Sequence, residues 1–143
     1  MLNELKVGEF LAALGERTPT PASGAAAALT GALAAGLTEL AARFAGDEDA
    51  VVHAKAAVTR LVELADEDAQ AYTAFMADRN DETRARIIEV PEEIAVHADE
   101  VAALADDLAG RLSTSVRGDA EASAELARAA ARVARRLAEL NRA

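Results

Sequence analysis

Apolar positions recur along the chain at intervals of three, four and seven, and the pattern predicts five helical segments and no strand. Leu2, Leu5, Phe10, Leu11 and Leu14 mark a first amphipathic helix, stopped near Gly15. Pro19 and Pro21 then stiffen a connector over 16–21, each pushing the residue before it out of helical geometry. A second helix is expected from Ala22 or Ser23 to about Ala45, with Leu29, Leu33, Leu37, Leu40 and Phe44 on one side. Gly46 ends it, and Asp47 is placed to cap the next.

The third helix, roughly 48–79, carries a sustained heptad: Val51, Val58, Ala65 and Tyr72 on one row, Ala54, Leu61 and Phe75 on the adjacent one. The turn is "DRND" at 78–81. The fourth helix follows on Ile87, Ile94, Val101 and Leu108, with Pro91 on the same stripe, so a kink or break is expected near Val90. A polar loop, "GRLSTSVRGD", fills 110–119. The last helix runs from about Asp119 to Asn141 on Leu126, Ala130, Val133, Leu137 and Leu140. The expected architecture is an all-α helical bundle of about five helices, one domain over 1–143.

Two features depart from a plain bundle. In the second helix Gly24, Ala28, Gly31 and Ala35 leave one face nearly bare backbone, which suits close helix contact within the bundle or across a dimer. In the third, the row Ala54, Leu61, 68, Phe75 holds Asp68 where an apolar residue belongs. Asp68 is expected to point into the groove between Ala65, Tyr72 and Phe75, whereas Asp66 and Glu67 fall on the outer flank. Burial raises a carboxyl pKa, and an acid perturbed in this way suits proton transfer. A structural hydrogen bond, to a helix end or an arginine, is the competing explanation. Asp119, seven residues before Leu126, is a weaker candidate of the same kind, for which helix capping is an alternative.

Composition narrows the field. Of 143 residues 39 are alanine, so much of the 52% hydrophobic content is weakly so, and aromatics are only 3%. A net charge of −10 argues against nucleic acid or an anionic membrane surface as partner. The absence of cysteine excludes disulfides, thiolate catalysis and cysteine-type zinc sites. The stretch from Ala22 to Thr38 is uncharged but too rich in Ala and Gly for a membrane span. The N-terminus lacks a signal peptide's basic flank, so the cytoplasm is the expected compartment. His53 and His97 lack metal-ligand spacing and are expected on the surface. Arg128, Arg132 and Arg135 form a row suited to neighbouring carboxylates or to an anionic ligand.

Taken in order, "EFLAALGERTPTPASGAAAALTGALAAGL", "LADEDAQAYTAFMAD", "EVPEEIA" and "GDAEASAELARAAARVARRLAELN" resemble the cyclodeaminase/cyclohydrolase family, over nearly the whole chain. This is the family of formiminotetrahydrofolate cyclodeaminase and methenyltetrahydrofolate cyclohydrolase. The resemblance implies a helical bundle that forms a homodimer, a reduced folate as substrate, and a formiminotransferase as a further partner, with no metal or resident cofactor. It places a folate site near the turn and assigns substrate contacts to Thr20, Pro21, Ser23, Gly24, Tyr72 and Asn141. Where the family has a glycine run and a serine after its P-T-P, this chain reads Ala22, Ser23, Gly24, Ala25. Asp68 is then the expected acid and Asp119 a group that positions or activates the attacking atom, while arginines meet the folate's glutamate tail. Two non-enzymatic alternatives stay open: a folate-binding module of the same fold, and a structural helical adaptor.

Overall fold

The computed structural model describes residues 1–113 and 115–143; Thr114, within the expected loop 110–119, lies outside the described residues. A short 3-10 turn, Leu2–Glu4, precedes five α-helices: α1 Val7–Gly15, α2 Ser23–Ala45, α3 Glu48–Ala77, α4 Asp81–Arg111 and α5 Ser115–Arg142. No strand occurs among the described residues. The chain is all-α, with α2 to α5 packed on one another and α2 touching each of the other three.

Each boundary has a local cause. Gly46 sits at φ 69°, donates to Arg43 O, and is followed by Asp47, whose N–H returns to Ala42 O. Those two bonds satisfy the last carbonyls of α2 in a conformation open to glycine without strain. Asp47 then caps α3 by accepting from Ala50 N at 3.0 Å. Asn80 caps α4 by accepting from Thr83 N at 2.9 Å while Thr83 Oγ1 accepts from Asn80 N at 3.1 Å.

The heptads of α3 and α4 point inward as expected: Ala54, Leu61, Ala65, Ile87, Ile94, Val101 and Leu108 are all buried. In α2 the small-residue face is the buried one, as expected of close helix contact, whereas in α5 the larger residues of the expected apolar row face outward. Leu33 and Phe44 are 68% and 66% exposed, and Leu126, Val133 and Leu140 also face outward. The buried faces are Ala25, Ala28, Gly31, Ala32 and Ala35 in α2 and Ala120, Ala124, Ala127, Ala131 and Ala134 in α5. With only a methyl group or a hydrogen between backbones, α2 is able to fit between three partners. Gly31 shows the fit, since a Cβ there would lie 3.2 Å from Leu61 Cδ1. The inner faces of α2 and α5 are joined by hydroxyls: Thr38 Oγ1 and Ser123 Oγ lie 2.6 Å apart, and Ser123 donates to Ala34 O at 2.6 Å.

Four further expectations are corrected. The first helix is split into the 3-10 turn and α1, and α1 buries none of its residues. Of the kink or break expected near Val90, the break does not occur, since α4 continues through Pro91. The loop expected over 110–119 is short, because α4 runs to Arg111 and α5 starts at Ser115. Asp119 is therefore inside α5 and does not cap it. By length and composition α2 alone among the described helices passes for a bilayer span, yet half of that window is buried by its neighbours, which accounts for its apolarity.

Candidate functional site

A cleft of about 240 Å³ opens where the connector before α2 meets α3, α4 and the end of α5. Its walls are Pro19 to Thr20 and Ala22 to Gly24, Asp68 and Tyr72 from α3, Ile87 and Pro91 from α4, and Leu137 and Asn141 from α5. The peptide bond from Thr20 to Pro21 is cis.

The first turn of α2 lines this cleft through Ala22, Ser23 and Gly24. Ala22, at the N-cap position, has no side chain to accept from the turn, and no side-chain cap replaces it. The N–H groups of Ser23, Gly24 and Ala25 precede the first intrahelical donor, Ala26 N, which bonds Ala22 O at 3.0 Å. An open helix start presents partial positive charge and free donors.

Asp68 lies against this turn. Its carboxylate occupies the space that a Cβ on Gly24 would need. Of the four residues 22–25, Gly24 is thus the one at which a side chain is excluded by its neighbour. No hydrogen bond joins Asp68 to another described residue, and burial pushes its carboxyl up to about 6. An acid at that value exchanges protons near neutral pH, where an ordinary carboxyl is fully ionised.

Asn141 reaches the cleft from the last turn of α5. Its Nδ2 donates to Ile87 O at 2.7 Å, and its backbone carbonyl accepts from Arg84 Nη1 at 3.2 Å. Arg142 adds an ion pair to Glu92. Around the cleft, Arg60 joins Glu67 and Glu93, and Arg86 also pairs with Glu67, fastening α3 to α4 one residue before Asp68. The guanidinium groups of Arg79 and Arg84 stand over the Phe75 ring at 5.3 and 5.6 Å.

The structure therefore brings Thr20, Ser23, Gly24, Asp68, Tyr72 and Asn141 to one cleft. Pro21 adjoins it without lining it, and Asp119 lies apart, separated from Asn141 by about 30 Å of helix. Asp66, expected on the outer flank, is buried at 6% exposure and accepts from Leu2 N at 2.7 Å. The 3-10 turn covers that flank, which the period of α3 alone does not reveal. The arginine row has no opening to the cleft: Arg128 pairs with Asp106 and Glu125, and Arg135 with Asp99. His53 and His97 share a second groove of about 500 Å³ between α3 and α4. Its charged groups are engaged locally, Arg60 with three glutamates and His97 within 3.7 Å of Glu93 and Glu100.

Among solved structures the chain is similar to a formiminotetrahydrofolate cyclodeaminase from Thermotoga maritima, with a TM-score of 0.92. The match covers 99% of this chain and 80% of that one at 23% identity, a likeness of fold. No curated protein matches. The family model described as formiminotransferase-cyclodeaminase matches residues 6–143, nearly the full length. The chain belongs to the formiminotransferase-cyclodeaminase family.

Proposed function

We propose that this protein acts on a reduced folate in the cleft between α2 and α3, with Asp68 as the proton-transferring group. The observation that carries the proposal is the Asp68 carboxyl, set against Gly24 at an uncapped helix start and raised to about 6. Two reactions of this family suit it. In cyclodeamination the folate N10 bonds to the formimino carbon held on N5 and loses its proton. The bond from that carbon to the formimino nitrogen breaks, and the nitrogen leaves as ammonia with a proton from Asp68. In the hydrolytic counterpart, water adds to the methenyl carbon and gives up a proton to the Asp68 carboxylate; the bond from that carbon to N5 then breaks, N5 takes the proton back from Asp68, and the formyl group stays on N10. Fixing N10 against its carbon supplies much of the acceleration, and a positioned acid adds roughly 10²–10⁴-fold.

The remaining wall supplies binding. Thr20, Ser23 and Gly24 present hydroxyl and backbone groups to the polar ring edge, and Tyr72 and Asn141 close the opposite side. Pro21 keeps the connector in place. Asp119 has no part in this within one chain. Neither reaction calls on a metal or a resident cofactor, and the cytoplasm is the compartment that goes with the substrate.

The same proposal pairs the chain with a second copy. Leu33, Leu40, Phe44, Leu126 and Val133 stand exposed on the outer faces of α2 and α5, and such apolar surface marks an association site. A formiminotransferase that delivers the formimino group is the further partner. Light scattering coupled to gel filtration reads the dimer directly, and a monomeric mass overturns it.

Turnover is tested by incubation with 5,10-methenyltetrahydrofolate, following its near-ultraviolet absorbance against a blank, and with formiminotetrahydrofolate, following ammonia. Decay or ammonia release above the blank is expected. Binding without turnover identifies a folate-binding module instead, and no binding of any reduced folate leaves a structural bundle.

A further inference from the structure

We infer that Pro91 is a positioning residue for Asn141: by removing one donor inside α4 it creates the acceptor that holds the Asn141 amide at the cleft. In an uninterrupted helix the N–H of residue 91 would donate to the carbonyl of residue 87, four positions earlier. Proline has no N–H, and its ring crowds that carbonyl. The Ile87 carbonyl is not left unpaired, because Asn141 Nδ2 reaches it at 2.7 Å. Ile87 and Pro91 are both buried, so an unpaired carbonyl there would be costly. α4 continues through Pro91, and the supplement from α5 stands where its own hydrogen bond is missing.

The arrangement fixes which way the side chain works. With Nδ2 committed to Ile87, no described residue donates to Asn141 Oδ1. The amide thus offers its carbonyl oxygen to a ligand in the cleft that Asn141, Ile87 and Pro91 line together. An acceptor of this kind selects a ligand group that donates, such as a ring N–H or an exocyclic amine. The backbone around it is fastened too, by Arg84 on the Asn141 carbonyl and by the Arg142–Glu92 pair. A proline inside a helix is thereby turned into a recognition element.

The identity of the ligand rests on the folate proposal; the coupling of Pro91 to Asn141 does not. The test uses P91A, N141A and the double variant of the full chain. N141A is expected to lower the urea midpoint in the wild-type background, because Ile87 O loses its donor. In the P91A background the loss falls to half or less, since the backbone N–H restored at position 91 now serves that carbonyl. Equal losses in both backgrounds overturn the coupling. P91A is expected to keep or raise the urea midpoint and to raise KM for 5,10-methenyltetrahydrofolate about 3- to 10-fold, the worth of one neutral hydrogen bond. Its kcat stays within about twofold, because Asn141 holds the ligand and moves no proton. A proline that only shapes α4 would shift the midpoint and leave KM unchanged, and that result overturns the positioning role. If the wild-type protein binds no reduced folate, the folate proposal fails alone, and the stability cycle still decides between coupled and independent residues.

Discussion

The two ends of α2 are built by opposite rules. At its C-terminus every local requirement is met: Gly46 takes the left-handed conformation, its N–H and that of Asp47 return to the last carbonyls, and Asp47 starts α3 while pairing with Arg111 at 2.8 Å. At its N-terminus the same requirements are broken. The cap position holds an alanine, an unpaired carboxylate sits against the first turn, and the neighbouring α4 carries a proline. Proteins break such rules mainly where a site needs it. The contrast separates residues kept for folding from residues kept for chemistry, and substitutions at either end ought to split in the same way.

Asp68→Asn is the largest expected break at the cleft end. It removes the proton donor with little change of shape, so turnover of a reduced folate should fall by about 10²-fold or more. Stability moves the other way. The folded carboxyl titrates at about 6 against an ordinary 3.8, so folding disfavours its charged form. Its contribution is fully present below the ordinary value and is lost as pH rises through the raised one. At pH 8 Asp68→Asn should therefore be more stable than wild type, by up to about 3 kcal/mol for a carboxyl raised that far, and at pH 3.5 the advantage should vanish. Urea titrations at both pH values check this. A variant that loses stability at pH 8 would show that the carboxylate holds the fold together.

Gly24→Ala probes the same contact from the other side. The added methyl overlaps the carboxylate of Asp68, which yields by rotating, because it is the end of a flexible side chain. Gly24 is the second residue of α2, so the helix gains less from the exchange than the about 1 kcal/mol that alanine has over glycine in a helix interior. Turnover should drop on the order of tenfold to a hundredfold while the Tm changes little. Gly31→Ala serves as the control, since it meets Leu61 at 3.2 Å and not the acid.

Sequence periodicity located the site better than it oriented the helices around it. Asp68 was visible because α3 and α4 follow the ordinary rule, larger apolar residues inward, so one acid on the row of Leu61 stands out. α2 and α5 invert that rule. Their alanine and leucine faces share one helical period, and period alone cannot choose between a face that packs closely inside and one that packs against something outside. Two other residues were hidden by partners distant in sequence. Asp66 is covered by the 3-10 turn, 64 positions away, and Asn141 is set by a proline about 50 positions earlier. A signal for the second existed: a proline within a helical stripe leaves the carbonyl four residues before it in need of a donor. Asp119 was misplaced by a boundary, since α5 begins at Ser115, a full turn before it.

The far end of α2 supplies the smaller effects. Gly46→Ala forces a side chain into φ 69°, at a cost of about 1–2 kcal/mol, with kcat and KM unchanged. Asp47→Ala removes the acceptor for Ala50 N and the partner of Arg111 at a half-buried position. A drop of a few degrees in Tm is the expected scale for a lost cap. The hydrogen bond from Ala50, with Arg111 beside it, holds the Asp47 carboxyl below its usual range. Its contribution is therefore present above the ordinary carboxyl pKa and fades as the pH falls through the lowered one. The Tm difference between Asp47→Ala and wild type should shrink on acidification, whereas the stability gap for Asp68→Asn closes for the opposite reason, as wild type recovers. Melting curves of the two variants from pH 8 to 3 distinguish a carboxylate held for its charge from one held against it, and parallel curves would erase the contrast between the two ends of α2.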